Sequence, residues 1–318
     1  DSSAASDCIR DSDIVFSAAK LFFAYGLGNA LTFPMAVGAS AILLEGPPEP
    51  ERINKIFLEE KPTLFFGVPT LFAILLASDN LPTKDEHDVR LCISAGEPLP
   101  SDLLARWQGT FGVDILDGLG TTEMLHIFVS NRPDEITPGS TGRVVPGYQI
   151  RLINDNNEVC APGEMGVLEV SGPSSALMYW GQRQKTKDTF KGTWTRTGDN
   201  YSISEKGVMT YGGRNDDMLK VGGIYVSPFE VEAALIKHEA VLEAAVVGNN
   251  DQDGLVKPKG FIVLNKNFIG SDELASELIN FVKTNLAEYK YPRWIEFLDE
   301  LPKTATGKIQ RFKLRTAS

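Results

Sequence analysis

Apolar and polar positions alternate in blocks over the first 140 or so residues, and the block lengths predict strands alternating with helices. Residues 13–44 carry apolar segments divided by Gly26, Gly28 and Gly38, and 39–44 has the compact apolar look of a buried strand. After Pro47-Pro48, residues 51–60 set Ile53, Ile56 and Phe57 at helical spacing, and 63–67 reads as a strand. Pro69 opens a helix over 70–76. Residues 89–95 read as a strand ending in a glycine turn, 100–111 as a helix and 113–116 as the next strand. This alternation implies a mostly parallel sheet covered on both faces. Ligands of such sheets bind beyond the carboxyl ends of the strands.

The period changes at Gly142. Residues 149–153, 166–170 and 208–211 read as short strands separated by Asn154-Asp155-Asn156-Asn157 and Pro162-Gly163, which predicts a small antiparallel sheet or barrel. The polar, glycine-opened stretch 212–217 suits a linker. Beyond it, 228–238 reads as a helix with Pro228 in its first turn, 244–247 and 260–264 as strands, 271–286 as a helix capped by Ser271, and 294–298 as a last strand. The expected fold class is therefore α/β. Residues 1–212 form part of a large domain (1–141 α/β, 142–212 antiparallel β), 213–216 connect, and 217–318 form a small α+β domain.

Charge changes this picture in one respect. The net charge of −11 argues against general affinity for nucleic-acid phosphates or anionic membranes. Residues 1–212 carry 17 basic and 27 acidic groups and 213–318 carry 14 and 15, with five basic and no acidic groups after Pro302. Such a tail either sets cations beside a bound anion or is simply solvated. Cys8, Cys92 and Cys160 lie far apart, which excludes a disulfide framework and a cysteine zinc site and points to a reducing cytoplasm. No apolar run approaches the roughly 20 residues of a membrane helix, so no span is expected. The chain starts at Asp1 without Met, as a piece of something longer would.

Four segments suggest chemistry. Asp117-Gly118-Leu119-Gly120-Thr121-Thr122-Glu123 follows a strand, and its glycines would let backbone N–H groups approach a phosphate while hydroxyls and a carboxylate converge on the phosphate's metal ion. A glycine-rich turn capping a helix through Thr122 has the same letters. Trp194-Thr195-Arg196-Thr197-Gly198-Asp199 offers a carboxylate that could accept bonds from the vicinal hydroxyls of a ribose, or is a plain turn. The third cluster runs from Gly213 to Gly223. In the fourth, Leu301 to Arg311, a turn at Thr306-Gly307 would present the Lys308 ammonium to an anion, unless it is a frayed basic terminus.

Together and in this order, the four segments resemble the adenylate-forming superfamily of acyl-CoA synthetases, luciferases and peptide-synthetase adenylation domains, across essentially the whole chain. Residues 19–29, Ala-Lys-Leu-Phe-Phe-Ala-Tyr-Gly-Leu-Gly-Asn, and 123–128, Glu-Met-Leu-His-Ile-Phe, are similar to the benzoate–CoA and hydroxybenzoate–CoA ligases. The resemblance implies an enzyme that uses ATP with Mg2+ to adenylate an aromatic carboxylate, releases pyrophosphate, and then passes the acyl group to CoA. It implies that Ser94, Ala95, Gly96, Glu97, Asp117, Gly118 and Leu119 frame adenine, that Thr122 touches the α-phosphate, and that Glu123 is the metal ligand. Asp199 would hold the ribose, assisted by Arg214, and Lys308 would bridge the carboxylate and the α-phosphate. Asp216 matches the hinge of a mobile lid, and Lys220, Gly222 and Gly223 the channel for the CoA thiol. The acyl pocket would lie between Phe23, Tyr25 and Gly26 on one side and Gly120, His126 and Ile127 on the other, where Phe23, Tyr25 and His126 could also be plain packing residues.

The family's Ser/Thr/Gly-rich phosphate loop is not found in these residues, and truncation would expose apolar surface and favour aggregation or poor nucleotide binding. Two alternatives therefore stay open: transfer of an aryl group to a carrier protein, and a non-catalytic fragment that binds through its basic tail. A homodimer is compatible with either.

Overall fold

The computed structural model describes residues 9–215, 217–222, 224–303 and 309–315. These fall into two compact units: the first runs to Thr197 and includes Tyr201–Tyr211, and the second holds Gly198–Asn200 and the residues from Gly212 on.

The first unit opens with β1 (Ile14–Ser17), α1 (Ala24–Leu27), a π-turn over Gly28–Thr32, α2 (Phe33–Val37) and β2 (Ser40–Ile42). There follow α3 (Pro50–Glu59), β3 (Leu64–Gly67), α4 (Pro69–Leu76), β4 (Leu91–Ala95), α5 (Ser101–Phe111), β5 (Ile115–Gly120), β6 (Ile127–Ser130) and β7 (Arg143–Val144). They make a sheet of order β2-β1-β3-β4-β5-β6-β7, parallel from β2 to β5 and antiparallel from there to β7. Every residue of β3 and β4 is buried, because Phe16, Phe57, Phe65, Phe72, Trp107 and Phe111 fill one face while Leu64, Phe66, Leu91, Ile93 and Leu116 fill the other. At the foot of β1, the buried Asp13 carboxylate accepts from Arg90 Nη2 at 2.7 Å, Thr63 Oγ1 at 2.7 Å and the Arg10 N–H at 2.7 Å, which locks the start of β1 to β3. Burial pushes its pKa up, but the bonds from Arg90, Thr63 and Arg10 outweigh this and hold it below the ordinary value.

One strand departs from expectation. Residues 39–44 do not form a buried strand: β2 is three residues long, Ser40 and Ala41 are exposed, and Leu43 is 64% exposed, because β2 has a neighbour on one side only.

The first unit continues with β8 (Gln149–Ile153), β9 (Met165–Ser171), α6 (Arg183–Thr189) and β10 (Phe190–Lys191), and then β11 (Trp194–Ile203) and β12 (Met209–Arg214), which pass into the second unit. Their sheet has the order β10-β11-β9-β8, with β12 on β11, and closes over Leu152, Leu168, Val170, Tyr201 and Met209.

The second unit contains β13 (Leu219–Val221), β14 (Ile224–Val226), α7 (Pro228–Ile236), β15 (Val241–Asn250), β16 (Val256–Leu264), α8 (Asp272–Asn285), β17 (Trp294–Phe297) and α9 (Arg311–Arg315). β13 and β14 form a hairpin; β15 pairs antiparallel with β16, and β17 parallel with it. Val226, Val231, Leu235, Val246, Ile262, Leu278 and Val282 form the core. Ser227 and Ser271 cap α7 and α8, accepting from the N–H groups of Glu230 and Leu274. Three cations of the basic end are committed within this unit. Lys303 pairs with Glu243 at 2.6 Å, Arg311 with the buried Glu232 at 2.8 Å, and Arg315 with Asp217.

Candidate functional site

In the first unit the sequence-predicted residues gather at the carboxyl ends of β3, β4 and β5. Ser94 and Ala95 close β4 and lie in register with Asp117 and Gly118 of β5; Gly96 then turns with φ +91° and Glu97 accepts from Thr70 Oγ1 at 3.1 Å. Asp117 is buried, and desolvation pushes its pKa well up against hydrogen bonds from the N–H groups of Leu99 and Gly118 and the Thr141 hydroxyl. Its Oδ1 and the Ser94 Oγ have no partner among the described residues.

The glycines of this segment do something other than expected. Residues 117–120 are strand, not loop. A Cβ at Gly118 would sit 2.8 Å from Ile127 Cδ1, and one at Gly120 would sit 2.5 Å from the His126 carbonyl oxygen, so both glycines admit the returning strand β6. The cap also shifts by one residue: Thr121 Oγ1 accepts the Met124 N–H at 3.2 Å and starts a single 3-10 turn over Thr122–Met124, leaving Thr122 exposed and Glu123 half-buried. Leu125 leaves that turn at φ +69°, a conformation unfavourable for a branched residue.

His126 is 6% exposed and stacks on Tyr25 with ring centroids 5.5 Å apart, while Phe33 meets it edge-on at 4.6 Å. Gly28 makes the space, since a Cβ there would lie 2.4 Å from the imidazole carbon Cδ2. Gly26 is equally close-packed, with its Cβ position 2.2 Å from the Lys20 carbonyl oxygen. His126 Nε2 lies 3.3 Å from the Tyr25 carbonyl oxygen, which assigns the ring proton to Nε2 and leaves Nδ1 as an acceptor with no partner among the described residues. Burial drives the pKa of His126 down to about 4, against the pull of the Tyr25 carbonyl, so the ring is neutral. The Tyr25 hydroxyl reaches the carbonyl oxygens of Gly67 at 3.2 Å and Ile93 at 3.1 Å, and burial pushes its pKa up. Ile127 is buried over Gly118 in the core, and Phe23, 40% exposed, lies against Phe22. Tyr25, Gly28, Gly120, His126 and Ile127 are thus brought together, Ile127 pairing with Gly120 and packing in one cluster with Tyr25 and Phe33, while Phe23 lies against Phe22.

In the second unit, Asp199 is buried and accepts from Arg214 Nη1 at 3.2 Å. Gly198, with φ +78°, brings the guanidinium to 3.1 Å from its own Cβ position. Lys220 stands on β13 with its ammonium 5.2 Å from the Tyr225 ring centroid, and Gly222 turns the hairpin at φ +58°. Asp216, Gly223 and Lys308 lie outside the described residues.

Sequence reasoning passed over the segment that supports Glu123. The Ala176 N–H donates to the Glu123 carbonyl at 2.7 Å, Ser174 Oγ to the Met124 carbonyl at 2.7 Å, and the Tyr179 hydroxyl to Glu123 Oε1. The aromatic run Tyr179-Trp180 was the available signal, but nothing in its spacing pointed to residue 123. Among the described residues no three His, Cys, Asp or Glu side chains cluster as a metal site, so Glu123 is a single carboxylate. No helix among them is long and apolar enough to cross a membrane.

Polar groups at the carboxyl ends of a mostly parallel α/β sheet lie where the ligands of such sheets bind. Residues 2–180 match the AMP-binding enzyme family and residues 230–308 its C-terminal domain. The chain belongs to the AMP-binding enzyme family. It is 58% identical over 310 residues to the benzoate–CoA ligase of Thauera aromatica, covering 97% of this chain and 59% of that protein. It is 51% identical to the 4-hydroxybenzoate–CoA/benzoate–CoA ligase of Rhodopseudomonas palustris, covering 96% and 57%. The crystal structure of a benzoate CoA ligase from Burkholderia xenovorans LB400 superposes with a TM-score of 0.91 at 55% identity, covering 96% of this chain and 62% of that one. The chain thus spans about three fifths of the length of these relatives.

Proposed function

We propose that the protein is an aromatic acid–CoA ligase: a benzoate-type carboxylate attacks the α-phosphate of ATP with release of pyrophosphate, and CoA then takes the acyl group with release of AMP. The observation that carries this reading is the 58% identity to a benzoate–CoA ligase across nearly the whole chain. The Tyr25–His126 stack is consistent with it, since flat, uncharged walls suit an aryl ring.

On this reading the adenine lies along Ser94 to Glu97 and Asp117 to Leu119. Asp117, whose buried Oδ1 has no partner among the described residues, would accept a hydrogen bond from a purine edge. Thr122 donates to the α-phosphate. Glu123 fits Mg2+, because that ion takes one or two carboxylates and completes its shell with substrate phosphates and water. The ion, when bound, neutralises phosphate charge as it builds up. Asp199 accepts from the ribose hydroxyls, with Arg214 holding its carboxylate. Lys308 supplies an ammonium between the two reacting anions, and the segment about Asp216 is the hinge that removes it so that the thiol, passing Lys220, Gly222 and Gly223, can reach the acyl carbon. Residues 1–212 belong to the large domain and 217–318 to the lid. The free thiols of Cys92 and Cys160 fit a reducing cytoplasm.

Benzoate-dependent release of pyrophosphate tests the adenylation, and CoA set against a carrier-borne phosphopantetheine tests the acceptor. Lys308→Ala should abolish acyl-adenylate formation while sparing thioester formation from preformed adenylate; equal loss in both half-reactions overturns the lysine's role.

A further inference from the structure

We propose that Tyr179 is a positioning residue that orients the Glu123 carboxylate toward the divalent cation of the bound nucleotide. This rests on the reading of Glu123 as the metal ligand. A glutamate side chain has three rotatable bonds, and a turn of three residues followed by a left-handed leucine does little to fix them. The orientation comes from outside the turn. The Ala176 N–H and the Ser174 hydroxyl hold the carbonyl oxygens of Glu123 and Met124, and Tyr148 lies 2.8 Å from that same serine hydroxyl. Tyr179 then donates its phenol to Glu123 Oε1.

The chemistry of the donor matters. Among the described residues no cation pairs with Glu123. An arginine or lysine in this place would fix the carboxylate but also neutralise it. A phenol fixes one oxygen, leaves Oε2 open, and leaves the full negative charge for a metal ion. Tyr179 is itself held: its N–H donates to Thr186 Oγ1 at 3.1 Å and its ring lies 5.4 Å from Phe190. The Lys185 ammonium sits 4.1 Å from the ring centroid, drawing electron density from the phenol and strengthening its O–H as a donor.

The test uses the protein as its gene encodes it. Binding of Mn2+ in the presence of ATP is measured from the electron paramagnetic resonance of the free ion, alongside the Mg2+ concentration that half-saturates acyl-adenylate formation. Tyr179→Phe keeps the ring and its contacts and should weaken metal binding about tenfold, with the KM for benzoate and the melting temperature near wild type. Unchanged metal affinity in Tyr179→Phe, with Glu123→Gln weakened, overturns the proposal and leaves the reading of Glu123 intact. Unchanged affinity in Glu123→Gln overturns that reading itself. If Tyr179→Phe fails to fold, Lys185→Met decides: a weakening of about twofold supports the proposal and none overturns it.

Discussion

The neutral state of His126 has a cost that appears when the pH is lowered. In the unfolded chain this imidazole titrates near 6.5, and in the fold burial brings it to about 4. Between these values the unfolded state takes up a proton that the folded state refuses, so stability present above pH 6.5 is lost as the pH falls toward 4. Integrating the difference gives about 2 kcal/mol between pH 8 and pH 5, and roughly 3 kcal/mol once the pH is below 4. The perturbation is His126→Phe, which keeps a flat ring between Tyr25 and Phe33 and cannot titrate. Urea unfolding followed by tryptophan fluorescence at pH 8 and pH 5 compares the two proteins, and carboxylate titration is common to both. Wild type should lose about 2 kcal/mol more than His126→Phe over this interval. If the two lose equal stability, His126 is not held neutral by burial, and the description of the stack as an uncharged wall fails.

Other expectations follow from particular contacts. Gly120→Ala places a methyl 2.5 Å from the backbone oxygen of His126, which cannot rotate away, and should cost about 1–3 kcal/mol in the same urea assay; a neutral result would mean that β5 and β6 are not held at this spacing. Glu232→Ala removes the buried carboxylate that accepts from Arg311 and from the Val246 N–H in the core of the second unit, and should lower the unfolding midpoint, at a cost of about 1–3 kcal/mol for the buried donors that lose it. Arg311→Met strands the carboxylate instead. Burial already raises the pKa of Glu232 against the pull of Arg311, so this variant should regain stability relative to wild type as the pH is lowered toward the ordinary glutamate range and the folded state takes up a proton before the unfolded chain does. Tyr25→Phe and His126→Ala should change the relative rates with benzoate, hydroxybenzoates and aminobenzoates in an acyl-adenylate assay; unchanged selectivity removes both from the acyl pocket.

The parts legible in the sequence are those where one physical rule acts alone. α3, α5 and α8 show helical spacing because each buries one stripe, and β3 and β4 show continuous apolar runs because both faces are covered. β11 was hidden because its Thr-Arg-Thr-Gly-Asp-Asn core is polar and a positive φ at Gly198 interrupts its alternation. α6 was hidden because it buries nothing. At the site, the letters of residues 117–123 were noticed, but the packing role of the glycines was not: spacing along one chain cannot show that β6 comes back against β5. Tyr179 was missed for the same reason, since its partner lies 56 residues away.

Unpaired polar atoms carry information that the motifs do not. In the first unit Asn29 Oδ1 and Nδ2, Ser94 Oγ, Asp117 Oδ1 and His126 Nδ1 are buried without partners among the described residues. Leaving a buried donor or acceptor unmade costs about 1–3 kcal/mol each. A fold that keeps so many of them beside the strand ends does so where a ligand or ordered water completes the bonds. Ser94, Asp117 and His126 were already candidates from their motifs. Asn29 was not: it sits in the π-turn one residue beyond the glycine that admits His126, fully buried, with its amide facing the Tyr25 hydroxyl without completing a hydrogen bond. The aromatic segment therefore presents an unsatisfied amide as well as a flat wall, and an acid that bonds to this amide would be held by more than the shape of its ring.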